Sequence, residues 1–121
     1  MKVIIDIIED VREQIGNHEA YEVTAGLLKT NPNDSSKLIY AGEAPLNTVQ
    51  LEEDKRQLTF KIDGSNKKLT IGELIPSILI LDMDAMMFEL KMDVNAQYKD
   101  REIVGCGKNE DEKRYILFIK I

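Results

Sequence analysis

Two aspartates one residue apart, Asp82 and Asp84, close the apolar run SILILDMDAMMF at residues 77–88. Carboxylates at that spacing on a strand end can hold a divalent cation and polarise phosphate oxygens, with Glu89 or Asp93 as further oxygen donors. A calcium loop is excluded, because no glycine and distal glutamate follow at the required positions. The single cysteine, Cys106, lies in VGCGKN. A nucleophilic thiolate needs a base and an electropositive setting, and the only histidine, His18, is remote in sequence. Gly105 and Gly107 beside the thiol point instead to a bulge or a close backbone approach. The Gly-x-Gly-Lys at 105–108 lacks the four-residue spacer of a phosphate-binding loop. One cysteine and one histidine also exclude an intrachain disulfide and a Cys/His zinc site. His18 follows a helix end, where an imidazolium is favoured by the helix dipole. No serine, histidine and acid set is discernible.

The stretch ILILDMDAM resembles the first motif of haloacid-dehalogenase-type phosphatases. There the first aspartate attacks phosphorus and the second acts as acid and base beside Mg²⁺, so the resemblance would give Asp82 and Asp84 those roles. It stops at that motif. The family's lysine and later acidic motif lie on further parallel strands, whereas the 37 residues after Asp84 read as antiparallel strands. Position 86 is Met where the family has a small polar or aliphatic residue. A turn or strand end is the expected role of the two aspartates. EVTAGLLK (22–29) and APLNTV (44–49) resemble the first strands of the JAB/MPN metalloprotease fold. Those enzymes hold zinc with two histidines and an aspartate. With His18 alone, the resemblance implies a chain without the metal and without the catalysis.

The elements that must position these residues belong to one domain of 121 residues, 43% hydrophobic and 31% charged. That composition folds without staples and is not that of a disordered chain. Asp6, Glu9 and Asp10 interrupt the opening apolar stretch, so no signal peptide is read there. No run approaches the ~18 apolar residues of a membrane span. A cytoplasmic protein with one reduced cysteine is expected. Net charge is −6; residues 1–66 carry −5 of it and residues 67–121 carry −1. A phosphate backbone repels such a chain, and the absence of Trp removes the best stacking platform, so no nucleic-acid partner is expected. A basic protein partner is electrostatically easier.

VIIDIIEDVREQIGN (3–17) predicts an amphipathic helix, with Ile4, Ile8, Val11 and Ile15 at helical spacing, Ile7 beside them, and Gly16-Asn17 as the stop. Its acids gather on the opposite face. Tyr21 to Leu27 alternates as a strand, TNPNDSS (30–36) is a turn cluster, and KLIYA (37–41) a second strand. APLN (44–47) bends the chain. TVQLE and QLTFKI form a hairpin about a charged loop, and DGSN (63–66) is the strongest turn signal. Thr70 and Glu73 have capping-box spacing, which favours a short second helix near residues 70–81, kinked or restarted at Pro76. A turn followed by a strand from Ser77 is the other reading. Met86 to Val94 alternates as a half-buried strand, and REIVGCG and RYILFIKI supply two more. The expected class is α+β: a helix packed on an antiparallel meander of about six to seven strands.

These observations point to a non-catalytic protein–protein interaction module that self-associates, as a homodimer through a strand edge, or binds a basic partner in the manner of a bacterial accessory or immunity protein. No cofactor, metal or membrane partner is expected. Asp6, Asp10 and Glu13 on the acidic helix face are the candidate contacts. Met87 joins them, because it shares a face with Glu89, Lys91 and Asp93 and belongs to a methionine cluster able to repack against different shapes. The alternatives are a metal or phosphate site at Asp82 and Asp84, and a small-ligand carrier whose curved meander encloses an apolar cavity.

Overall fold

Helix α1 (Ile4–Gln14) buries Ile4, Ile7 and Val11, and Ile15 continues the same face. Its β-branched residues are mediocre helix formers, so its ends are secured by other means. The Asp6 carboxylate reaches back to accept from the backbone N–H of Lys2 at 2.9 Å and Val3 at 3.0 Å. Gly16, at φ +61°, ends the helix and donates to Val11 O at 2.9 Å. The two N–H donors hold the Asp6 carboxyl below its ordinary value of 3.8. A lowered folded-state pKa gives stability that is present above the ordinary value and lost as the pH falls through the folded one. Asp6→Asn should therefore lower stability at pH 7 and flatten the acid limb below about pH 4, read from urea midpoints across pH. A variant with an unchanged acid limb would show that the cap contributes nothing.

The computed structural model describes residues 1–16 and 19–121. His18 and Asn17 lie outside the described residues. After α1 come β1 (Glu22–Asn31), β2 (Asp34–Pro45), β3 (Thr48–Glu52), β4 (Gln57–Lys61), α2 (Ile71–Leu79), β5 (Glu89–Asp93), β6 (Arg101–Asn109) and β7 (Arg114–Lys120). Short 3₁₀ turns sit at Glu53–Lys55 and Ala85–Met87. The class is α+β with seven strands, in the order β2-β1-β7-β6-β5-β4-β3.

The sheet is mixed rather than an antiparallel meander. β1 runs parallel to β7, from Glu22↔Arg114 to Leu28↔Lys120, and β4 runs parallel to β5, from Gln57↔Glu89 to Lys61↔Asp93. A parallel pair needs a long crossover, usually helical, and residues 62–88 with α2 supply one. α2 continues through Pro76, and the Thr70 hydroxyl caps it by accepting from Glu73 N at 3.3 Å. The first hairpin turns more tightly than TNPNDSS suggests, since β1 reaches Asn31 and β2 begins at Asp34. The expected strand from Met86 begins at Glu89 instead. Asp82 Oδ1 accepts from Ala85 N at 2.9 Å and sets the 3₁₀ turn that precedes it.

Only Leu46 and Asn47 separate β2 from β3, although these are the opposite edges of the sheet. Six strand-to-strand steps of roughly 20–25° add up to about 120–150° of twist, which lets the open sheet curl until its edges meet at one end. Leu46, fully buried, fills that seam; its N–H donates to Val23 O at 3.2 Å and its carbonyl accepts from Leu69 N at 2.8 Å. The concave side holds both helices and one continuous core that includes Val23, Phe60, Leu74, Met92, Tyr115 and Leu117. Read from either edge, the strand directions match, yet both helices share one face. The two halves of the sequence share no residue-level repeat, and neither a twofold axis normal to the sheet nor one along β6 reproduces that arrangement. Among the described residues no helix is long and apolar enough to cross a membrane.

Candidate functional site

The end of α2 and the turn after it carry the most exposed apolar side chains. Leu79 is 60% exposed, Ile80 84%, Met83 84% and Met87 63%. Four large apolar side chains exposed within nine residues are denser than the singly scattered apolar groups that ordinary surfaces carry. The segment is not loose. Ile78, Ala85 and Phe88 alternate with the exposed residues and are buried in the core. The Phe88 carbonyl accepts from Ile4 N at 3.1 Å, and the Arg56 guanidinium lies 5.0 Å from the Phe88 ring centroid. The outward side chains are thus presented from a fixed base, which lowers the ordering cost of binding. Asp82 and Asp84 are exposed between them, so the apolar ridge has an acidic border.

Met87 is therefore exposed, though through the 3₁₀ turn rather than through strand alternation. The acidic candidates on α1 are placed differently from one another. Glu13 is exposed. Asp6 is committed to the helix start. Asp10 turns towards the sheet, where its Oδ2 accepts from the Tyr115 hydroxyl at 2.5 Å and from Gln14 Nε2 at 2.7 Å. Gln14 Nε2 also points to Cys106 Sγ at 3.5 Å, and Lys108 Nζ donates to Gln14 O at 2.8 Å. Asp6, Asp10 and Glu13 do not form one free acidic face.

This polar knot fastens α1 to β6 and β7 and has the wrong electrostatics for nucleophilic catalysis. Burial, followed by the hydrogen bond to the Asp10 carboxylate, pushes the Cys106 thiol up to about 11. Burial and the same carboxylate also raise Tyr115. A thiolate nucleophile needs the opposite shift. Iodoacetamide at pH 8 should alkylate native Cys106 roughly 100-fold more slowly than cysteine in an unfolded peptide. A rate matching the peptide would mean that the thiol is free of Asp10.

Asp82 and Asp84 do not converge on a ligand. Asp82 is used in the turn, and among the described residues no three His, Cys, Asp or Glu side chains are grouped to hold a metal ion. Helical spacing groups Leu79 with Ile71, Leu74, Ile75 and Ile78 on one face, yet Leu79 is exposed where Ile71, Leu74 and Ile78 are buried; Ile80 and Met83 were not singled out by periodicity. Their signal was present in a helix whose short apolar run extends past one face, so that some of it had to remain uncovered. Comparison with family models, with curated proteins and with solved structures finds no match to this chain.

Proposed function

We propose that the protein is a non-catalytic protein-binding module whose contact surface is the apolar ridge of Leu79, Ile80, Met83 and Met87. The observation that carries this reading is their exposure on a segment whose alternate residues are anchored in the core. Methionine repacks readily, which suits a contact that accepts variable shapes. The acidic border of Asp82 and Asp84 and the net charge of −6 select a partner with basic residues around an apolar stripe, such as an amphipathic cationic helix. The same border disfavours an anionic bilayer. Self-association through a strand edge has less support. β2 is broken by two register shifts and carries Lys37, features that blunt an edge against pairing.

The test uses a designed helical peptide with leucines on one face and lysines on the other, titrated calorimetrically. Binding should weaken more than about tenfold, or 1.4 kcal/mol, in an Ile80→Ser/Met83→Ser/Met87→Ser variant that keeps its melting temperature. Asp82→Asn/Asp84→Asn should weaken binding at low salt and reduce its salt dependence. Equal affinity for the triple variant would overturn the reading, and so would the absence of binding to the native protein.

A further inference from the structure

The sheet is nearly split between β5 and β6. β6 keeps its β7 partners from Ile103 to Asn109 but pairs with β5 only at Lys91↔Glu102 and Met92↔Arg101. Among the described residues, no backbone hydrogen bond joins β6 beyond Glu102 to anything on the β5 side. The N-terminal residues occupy the β5 wall instead: Leu90 N donates to Lys2 O at 2.9 Å and Val3 bridges Glu89. Between that wall and β6 lies a cleft of about 470 Å³, within the ~300–1,000 Å³ range of ligand pockets. Val3, Leu90 and Ile103 form its apolar floor, and Val104, 53% exposed at the β6 bulge, stands on its side. The carboxylates of Glu89 and Glu102 stand at the rim, largely exposed, and both face the ammonium of Lys91, at 3.6 and 3.7 Å; Met1 and Lys2 line the same cleft, so its charges are of both signs.

From this geometry we infer that the cleft takes an extended peptide segment by strand addition to β6. An unpaired strand edge in a concave site offers main-chain donors and acceptors, which an extended peptide satisfies and a small apolar ligand does not. The floor and rim set the side-chain pattern. Successive residues of a strand face opposite sides, so the peptide alternates apolar residues over Val3, Leu90 and Ile103 with polar residues that face the mixed charges of Glu89, Glu102, Lys91 and Lys2. This site is separate from the α2 ridge and does not depend on it.

A library of random decapeptides displayed on phage, selected against the full chain, tests the inference. Selected peptides should alternate apolar and polar residues, bind with micromolar Kd, and slow amide hydrogen exchange within Ile103–Gly107. Val104→Trp, which enlarges an exposed side chain at the cleft, should weaken them at least tenfold without changing the melting temperature. Ile80→Ser/Met83→Ser should leave them unaffected. A selection that enriches nothing, or unchanged affinity for Val104→Trp, would overturn the inference. Exchange protection confined to residues 79–87 would overturn it as well, while supporting the ridge as the binding surface.

Discussion

Tyr115→Ala should destabilise the protein by about 3–5 kcal/mol, and Tyr115→Phe by about 1–3 kcal/mol. Tyr115 is fully buried on the concave face of β7. Alanine removes a large aromatic group from a packed core and leaves a cavity. Phenylalanine keeps the ring and removes only the hydroxyl, so its smaller cost isolates the bond to Asp10 Oδ2. That carboxylate then keeps the Gln14 amide and the Cys106 thiol as side-chain donors. Urea unfolding at neutral pH measures both variants, and a cycle with Asp10→Asn should show a coupling of about 0.5–3 kcal/mol. A Tyr115→Phe variant as stable as the native chain would mean that the hydroxyl contributes nothing. Reversing Asp10 to lysine is accordingly a poor probe of binding, because it would drive an ammonium against Tyr115 and Cys106. Of the three candidate contacts on α1, Asp6, Asp10 and Glu13, Glu13 is the one whose reversal tests the surface without disturbing the core.

Gly26→Val should cost about 1–3 kcal/mol through overpacking. On the convex face, the Phe118 ring lies across the sheet over Gly26 on β1 and Gly107 on β6. A Cβ added at Gly26 would stand 2.6 Å from Phe118 Cε1 and 2.9 Å from Ile116 Cγ2, and one at Gly107 would stand 3.2 Å from Phe118 Cε2. The ring is further held edge-on by Tyr40, with centroids 6.4 Å apart. Gly26 has ordinary strand dihedrals, so the penalty is steric. Phe118→Ala should therefore recover much of the loss, a non-additivity that thermal melts of the two single variants and the double variant would reveal. Additive losses would show that valine clashes elsewhere.

The parts of the fold legible in the sequence are those set by local pattern. The heptad-like isoleucines of α1, the β3–β4 hairpin and the Thr70 cap of α2 follow from spacing alone. Phe88, Leu90 and Met92 point inward as their alternation requires. Strand orientation was not legible, because alternation is the same in parallel and antiparallel strands. The signal was the helical crossover at 62–88, which joins neighbours running the same way. The β1–β7 pairing had no local signal, since its partners are about ninety residues apart. At the candidate sites, Met87 was recognisable as an exposed apolar residue within a methionine cluster. Asp10 read as a surface acid because helical spacing does not reveal a tyrosine that arrives from β7. The β5–β6 cleft arises from twist and an interrupted ladder, which residue types do not encode.

The parallel pairing of β1 with β7 bears on how the chain is made. A ribosome adds roughly 5–20 residues per second, so β1 must wait on the order of ten seconds for its central neighbour to be synthesised. During that interval its main-chain edge and the underside of α1 have no lasting cover. A nascent-chain chaperone is expected to engage this region, and releasing it before Arg114–Lys120 emerges would favour aggregation over folding.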